Sequence, residues 1–462
     1  MTTTPTPTPP PTPATPTTPT ALTTASGEAH PPSPLSYLVP AFVPPLLPVA
    51  PRLFVPVAAP DGCPAAGTKV NRGDPLLTTT IEGQRVPRAP AAGTIVGVTQ
   101  VPRLGIGPSP AIEIEVSSPI TTDGGGATGD RAASPPLPQD LAALLDQLRR
   151  GGVHADRHCS PDLLGQLKDA QGRKIDIVLC NLLDPAGESD LMATVARAAG
   201  DAIVGGADIL AKASGATRIW FAADARAAAT ISSAVRKAGL AGLVALAGGR
   251  AKVVEIPNHY PQADPTLLLY ALLRRRLEPG RLPTHVGALL LDGPAAAAVG
   301  RCAADNQPML DVTVEVRESD RQACSVRSVA VGTPLRYLLE QLWLRPERLT
   351  LRAGAALREV RVGADAVIDG VGELSIDAGP VSPIINPDPC IRCGWCVEAC
   401  PVRIHPAGLL EAAQDNDFPA AQWYGLPACI ECGICSYVCP SRLPLLPAIR
   451  DLRANIARRE VR

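Results

Sequence analysis

Two short runs near the C-terminal end constrain this chain more than anything else in it. The first reads Cys390-Ile-Arg-Cys393-Gly-Trp-Cys396-Val-Glu-Ala-Cys400-Pro401, the second Cys429-Ile-Glu-Cys432-Gly-Ile-Cys435-Ser-Tyr-Val-Cys439-Pro440. Both spell C-x2-C-x2-C-x3-C-P. Cysteines two residues apart can wrap a loop round one face of a compact object, and a fourth after a three-residue gap points the other way. Zinc sites use two C-x2-C pairs, so four thiols would be left unexplained. Disulfides need an oxidising compartment, and the N-terminus lacks the basic stretch and apolar core of a secretion signal. Iron–sulfur cubanes, each with four corners that want a thiolate, use all eight cysteines.

The spacing resembles that of bacterial two-cluster ferredoxins, in which the fourth cysteine of each run ligates the other cluster. This resemblance implies one [4Fe-4S] cluster on Cys390, Cys393, Cys396 and Cys439, and a second on Cys429, Cys432, Cys435 and Cys400. Gly394 and Gly433 would let the loop pass close to a cluster with no Cβ in the way. Pro401 and Pro440 fix φ just after the crossing ligand.

The remaining composition narrows the rest. A chain of 462 residues has room for about three or four domains. Hydrophobic residues make up 46% but aromatics only 3%, so the cores must rest on Ala, Val, Leu and Ile. A net charge of -1 argues against nucleic acid as the main partner. Cys63, Cys159, Cys180, Cys302 and Cys324 are scattered and read as small hydrophobes in a reducing compartment. The most apolar stretches are broken, Tyr37 to Pro60 by prolines and Arg52, His285 to Gly300 by Asp292 and Pro294. No membrane-spanning helix is expected, and a membrane link would come through partners.

Taken in order, the chain predicts a multidomain α+β protein. Residues 1–45 are rich in Thr and Pro, bury nothing and are expected to stay disordered. Residues 46–118 read as short strands punctuated by Gly and Pro, with clear period two in Ala111-Ile-Glu-Ile-Glu-Val116. Their order resembles a lipoyl/biotinyl-type barrel-sandwich hybrid, without a lysine at the hairpin tip Glu82-Gly-Gln-Arg85. Residues 119–136 read as a linker. Residues 137–305 open with a helix whose Leu141, Leu144, Leu145 and Leu148 share one face, then alternate strand and helix as an open α/β domain. Helices are expected over 189–199 and 202–213. Residues 306–380 read strand, strand, helix, strand, as a β-grasp (SLBB-like) module, with Thr333 capping a helix that has Pro334 at its first position. Residues 381–462 hold the two cysteine runs in a ferredoxin-like α-helical domain and end in a basic amphipathic helix.

This order resembles the RnfC family, a component of the Rnf ion-translocating electron-transport complex, over roughly residues 46 to 455. The wording is close at Pro389-Cys-Ile-Arg-Cys-Gly394, Val397-Glu-Ala-Cys-Pro401, Cys429-Ile-Glu-Cys-Gly433 and Ser436-Tyr-Val-Cys-Pro-Ser441. Weaker echoes are Tyr260-Pro-Gln262, Leu282-Pro-Thr-His-Val-Gly287 and Val331-Gly-Thr-Pro334. The resemblance implies an electron-transfer subunit, peripheral on the cytoplasmic face of the membrane. It would pass electrons from a soluble donor, NADH in that family, to integral-membrane and flavin-bearing partners. Cobalamin reductases look similar and imply the alternative of a soluble flavin-dependent NADH reductase. A scaffold that docks partners and carries a ferredoxin module is a third reading.

The chain departs from that family where a flavin and NADH would bind. The glycine-rich loop after the first helix of the α/β domain is replaced by His154-Ala-Asp-Arg-His-Cys-Ser-Pro161. Of the acidic segment after the next strand, Asn181 and Glu188 survive in Asn181-Leu-Leu-Asp-Pro-Ala-Gly-Glu188. A turn of the β-grasp module gives way to Arg352-Ala-Gly-Ala-Ala356. FMN and NADH binding is therefore expected to be weakened or lost, and with it an NADH dehydrogenase activity of the chain's own. His158-Cys159 reads as two loop residues without a third catalytic partner, and Asp184 and Glu188 as flanks of a helix start. Arg392, beside the first cluster, is either a potential-raising or docking charge or a solvated one.

Overall fold

The computed structural model describes residues 44, 46–77, 85–117, 137–186, 189–240, 251–320, 323–355, 357–380 and 386–460. The Thr/Pro-rich stretch up to residue 43, the hairpin tip at 82–84, the 119–136 segment and Glu188 lie outside the described residues. Three sheets and a C-terminal helical region make a mixed α/β molecule of several domains.

The first sheet starts from β1 (Arg52–Pro56), β2 (Lys69–Val70), β3 (Gly93–Arg103) and β4 (Ile106–Val116). Strands β3 and β4 form a long antiparallel hairpin that turns at Gly105, whose φ of 71° suits glycine. Period two works here as the sequence implies, since Ile112 and Ile114 are buried and face the core with Ile95, Leu53 and Val55.

Helix α1 (Leu141–Arg150) starts where the Asp140 carboxylate accepts from the Ala143 N–H, and it buries the four expected leucines. There follow α2 (Leu163–Ala170), β5 (Ile177–Leu182), α3 (Leu191–Ser214), β6 (Arg218–Ala223), α4 (Ala225–Lys237), β7 (Ala251–Glu255), α5 (Pro265–Leu273), β8 (Ala288–Asp292) and α6 (Gly293–Asp305). The two helices expected over 189–213 are one element bent at Ala199, whose φ of -136° breaks the helical run. The four strands are parallel in the order β7-β6-β5-β8. Helices α3 and α6 touch backbone to backbone. A Cβ on Gly206 would lie 2.1 Å from the Ala296 oxygen, and one on Gly300 2.2 Å from that of Ala202. Small residues let this core pack with few aromatics.

The segment after α6 contributes β9 (Asp311–Glu318), β10 (Ala323–Ala330), β11 (Thr333–Pro334), α7 (Leu335–Gln341), β12 (Thr350–Ala353), β13 (Val360–Arg361), β14 (Val367–Ile368) and β15 (Ser375–Gly379). Five of these strands form a sheet ordered β10-β9-β15-β12-β13. The other two, β11 and β14, extend the first sheet, where β14 runs beside β3 and Arg103 pairs with Asp369 at 2.6 Å. This pairing corrects the expected start of α7. Thr333 is held in β11 opposite Ile368 and its hydroxyl donates to the Ala330 carbonyl, so the helix begins at Leu335 with Pro334 just outside it.

The C-terminal region holds α8 (Trp395–Glu398), α9 (Pro406–Asp415), α10 (Phe418–Trp423), α11 (Ile434–Tyr437) and α12 (Leu445–Glu460). Leu409 and Ala412 of α9 pack on Ile449 and Leu452 of α12, which closes a small core beneath the cysteine loops. Among the described residues no helix is long and apolar enough to cross a membrane.

Candidate functional site

The two cysteine runs fold alike, residue for residue. Gly394 and Gly433 have φ of 82° and 77° and start the one-turn helices α8 and α11. Two further pairs repeat the left-handed backbone. Arg392 and Glu431, the residues before each second cysteine, have φ of 54° and 53°. Arg403 and Arg442, three residues beyond each fourth cysteine, have 58° and 55°. The glycines were legible in the sequence; the Arg and Glu positions carry no signal for such a backbone.

The two runs pack against each other. Cys400 of the first run lines one apolar cavity with Cys429, Cys432 and Cys435 of the second, walled by Ile404, Leu446 and Ile449. Cys390, Cys393 and Cys396 lie near one another, and burial followed by its two neighbours raises the Cys396 thiol. The end of the second run returns to them. The Ser441 hydroxyl, two residues past Cys439, donates to the Pro389 carbonyl at 2.9 Å, the Asp388 N–H donates to the Ser441 carbonyl, and Arg442 pairs with Asp388 at 2.6 Å.

The donor set suits a cationic multi-atom group. All eight cysteines are free. Burial, with the nearby thiols Cys400 and Cys429, pushes Cys432 up to about 11, and burial and its neighbours push Cys435 to about 12. Crowded buried thiols of this kind ionise when a positive centre shares their cavity. The Glu431 N–H points at the Cys429 sulfur at 3.4 Å, a contact that stabilises a thiolate.

The two groups of thiols differ in depth. Cys390 and Cys393 are exposed, with Ile391, Trp395 and Tyr437 also open to solvent. Cys400, Cys432 and Cys435 are buried beneath neighbouring segments. The Tyr260 hydroxyl donates to the Cys432 carbonyl, and the Leu357 carbonyl lies over Gly433. Glu431, although burial acts to raise it, is held low by Arg450 and Arg453. Arg453 also donates to the carbonyls of Leu426 and Cys429, which ties α12 to the second run. Arg392 is exposed.

The 154–161 loop reaches the carboxyl edge of the parallel sheet. Arg157 is buried there, with Nε and Nη2 donating to the Asp292 carboxylate at 2.7 and 2.5 Å and Nη1 to the Gly370 carbonyl at 2.5 Å. His158 Nε2 lies 3.1 Å from Asp264, while the Cys159 thiol faces Asp292 at 3.8 Å. His158 and Cys159 thus each face a different aspartate, and the two do not share a third group. Burial and then Asp292 raise Cys159 well above the ordinary thiol range, so it is no ready nucleophile. These partners are more than a hundred residues away in sequence, so no local signal could have found them. Asp184 accepts from the Met192 N–H at 2.9 Å and so serves the start of α3. Asn181 is buried between the Ala263 carbonyl and the Leu183 N–H.

Comparison with known proteins agrees with these two regions. Residues 165–301 match the family described as the Nuo51 FMN-binding domain, and residues 382–440 match the 4Fe-4S dicluster domain. The chain is 25% identical over 378 residues to the RnfC component of the ion-translocating oxidoreductase complex of Pectobacterium carotovorum subsp. carotovorum, covering 79% of this chain and 48% of that protein. It is 30% identical over 205 residues to the protein of the same name from Actinobacillus succinogenes, covering 44% and 29%. With the corresponding component of the proton-translocating ferredoxin:NAD(+) oxidoreductase complex of Clostridium ljungdahlii it shares 22% over 394 residues, 82% of each chain. The chain spans about half the length, or less, of the first two of these relatives. The chain is thus similar to RnfC proteins over much of its length and to the 4Fe-4S dicluster domain over its two cysteine runs.

Proposed function

We propose that this chain is the electron-transfer subunit of an Rnf-type, membrane-associated ion-translocating oxidoreductase. Cys390, Cys393, Cys396 and Cys439 would hold one [4Fe-4S] cluster, and Cys429, Cys432, Cys435 and Cys400 the other. Bound there, the clusters supply one-electron carriers. The observation that carries this reading is the single cavity lined by thiols from both runs, Cys400 beside Cys429, Cys432 and Cys435. The chain's own residues do the rest. They exclude water from the inner thiols, present the outer thiols at the surface, and set local charge through Glu431, Arg450 and Arg453.

In this reading the N-terminal sheet is a barrel-sandwich hybrid and the 306–380 segment a β-grasp module. The β-grasp module meets the ferredoxin-type region at the Leu357 and Arg358 carbonyls, and the α/β domain meets it at Tyr260. The chain would work at the cytoplasmic side of the membrane, with integral-membrane and flavin-bearing subunits as partners and a soluble redox donor. Support for membership of a multi-subunit complex comes from the names of the similar proteins.

A second reading, a soluble flavin-dependent reductase, draws on the match of residues 165–301 to the Nuo51 FMN-binding domain. Coulometric titration of the anaerobically purified chain tests the first reading. Uptake of about two electrons per chain, with no flavin present, is expected of two one-electron clusters. Uptake of none, or copurification of stoichiometric flavin, would turn the assignment toward another class.

A further inference from the structure

In an open parallel sheet, ligands bind outside the carboxyl ends of the strands, where the strand order reverses. Here the order β7-β6-β5-β8 reverses at β5, so the crevice opens between the ends of β5 and β8, at Asn181 and Asp292. A phosphate placed there would rest on the N–H groups at the start of α6.

That position is already filled. The Asp292 carboxylate caps α6 by accepting from the Ala295 N–H at 2.9 Å, and Arg157 closes over the carboxylate with two hydrogen bonds. Both side chains are almost wholly buried, at 4% and 0% exposure. The plug is also held from outside the α/β domain, since Arg157 Nη1 donates to the Gly370 carbonyl and the Gly372 N–H donates to the Asp156 carbonyl at 3.0 Å.

The same arrangement recurs along the edge. Among the described residues, each strand of this sheet leads to a helix whose first N–H groups are taken by one of the chain's own aspartates. Asp184 serves α3, Asp224 α4, Asp264 α5 and Asp292 α6. Each aspartate in turn faces a basic side chain. Arg226 meets Asp224 at 2.7 Å and Asp184 at 3.7 Å, His158 meets Asp264, and Arg157 meets Asp292. An incoming phosphate would meet carboxylates where it needs free N–H donors. It could reach the head of α6 only by expelling Arg157 and leaving Asp292 buried without its cation.

We propose that Arg157 is an internal occupant of the switch-point crevice, and that a phosphate-bearing flavin or nicotinamide dinucleotide therefore does not bind at the head of α6. The match to the Nuo51 FMN-binding domain begins at residue 165, beyond the plugging loop. The electron donor of this chain is then another redox protein. The donor statement rests on the electron-transfer reading above, whereas the closure of the crevice by Arg157 does not.

The test uses the full chain, purified anaerobically. Titration with FMN followed by fluorescence polarisation, and separately with NADH by calorimetry, is expected to show no saturable binding, and one-to-one saturation by either would overturn the proposal. Because Arg157→Gly alone strands Asp292, the structural arm uses the double variant Arg157→Gly, Asp292→Asn, which removes both charges. Alkylation of Cys159 by iodoacetamide, read on its own peptide by mass, should run on the order of tenfold faster in the double variant than in Asp292→Asn alone, which makes the same charge change beside the thiol but keeps Arg157 as cover. Equal rates would show that Arg157 does not close the crevice and would overturn the proposal.

Discussion

At the scale of single residues, Cys439 makes the sharpest demand. It belongs to the second run, yet Ser441 and Arg442 just beyond it are bonded to Pro389 and Asp388 at the head of the first. Cys439→Ser is expected to abolish the EPR signal of the exposed cluster and spare that of the buried one. Loss of the buried cluster's signal alone would contradict crossed ligation. The two motif glycines separate backbone strain from steric overlap. Both have φ near +80°, so an alanine at either costs about 1–2 kcal/mol. A Cβ on Gly433 would also fall 1.8 Å from the Leu357 oxygen, whereas one on Gly394 meets no protein atom within 4 Å. Gly433→Ala should therefore lower the thermal midpoint clearly more than Gly394→Ala, and equal shifts would count against the packing described. The eight thiols and both glycines were legible because their spacing is local. Arg157 was not, because its meaning lies in Asp292, 135 residues away.

At the scale of elements, α3 and α6 depend on glycine where they cross. Gly300→Val would drive a side chain into the Ala202 carbonyl and force the helices apart, at a cost of roughly 1–3 kcal/mol as overpacking. The predicted outcome is a lower denaturation midpoint with unchanged iron content, and a fall in iron would mean the two regions are coupled. Helix α12 is coupled to the second run through Arg453, which donates to Glu431 and to the carbonyls of Leu426 and Cys429. Arg453→Ala should weaken the buried cluster while the exposed one persists, as EPR of the reduced protein would report. Periodicity revealed helices such as α1, whose buried leucines recur three and four residues apart. It could not reveal β11 and β14, which are two residues long and are held by pairing, β14 beside β3 and β11 on β14. The break at Ala199, by contrast, was legible as the gap between the helices expected over 189–199 and 202–213, with Gly200 beside it.

At the scale of the molecule, the two cluster sites differ in depth and so in chemistry. Cys390 and Cys393 are open to solvent, whereas Cys400, Cys432 and Cys435 are covered by Tyr260, the Leu357 backbone and α12. Brief exposure to air should destroy the outer cluster first, seen as a two-phase loss of the brown absorbance with the outer EPR signal leaving in the fast phase. The central claim meets its most direct test in iron and acid-labile sulfide analysis of the chain reconstituted without oxygen. About eight of each per chain is the predicted result. A colourless protein, or one holding zinc in place of iron and sulfide, would contradict it.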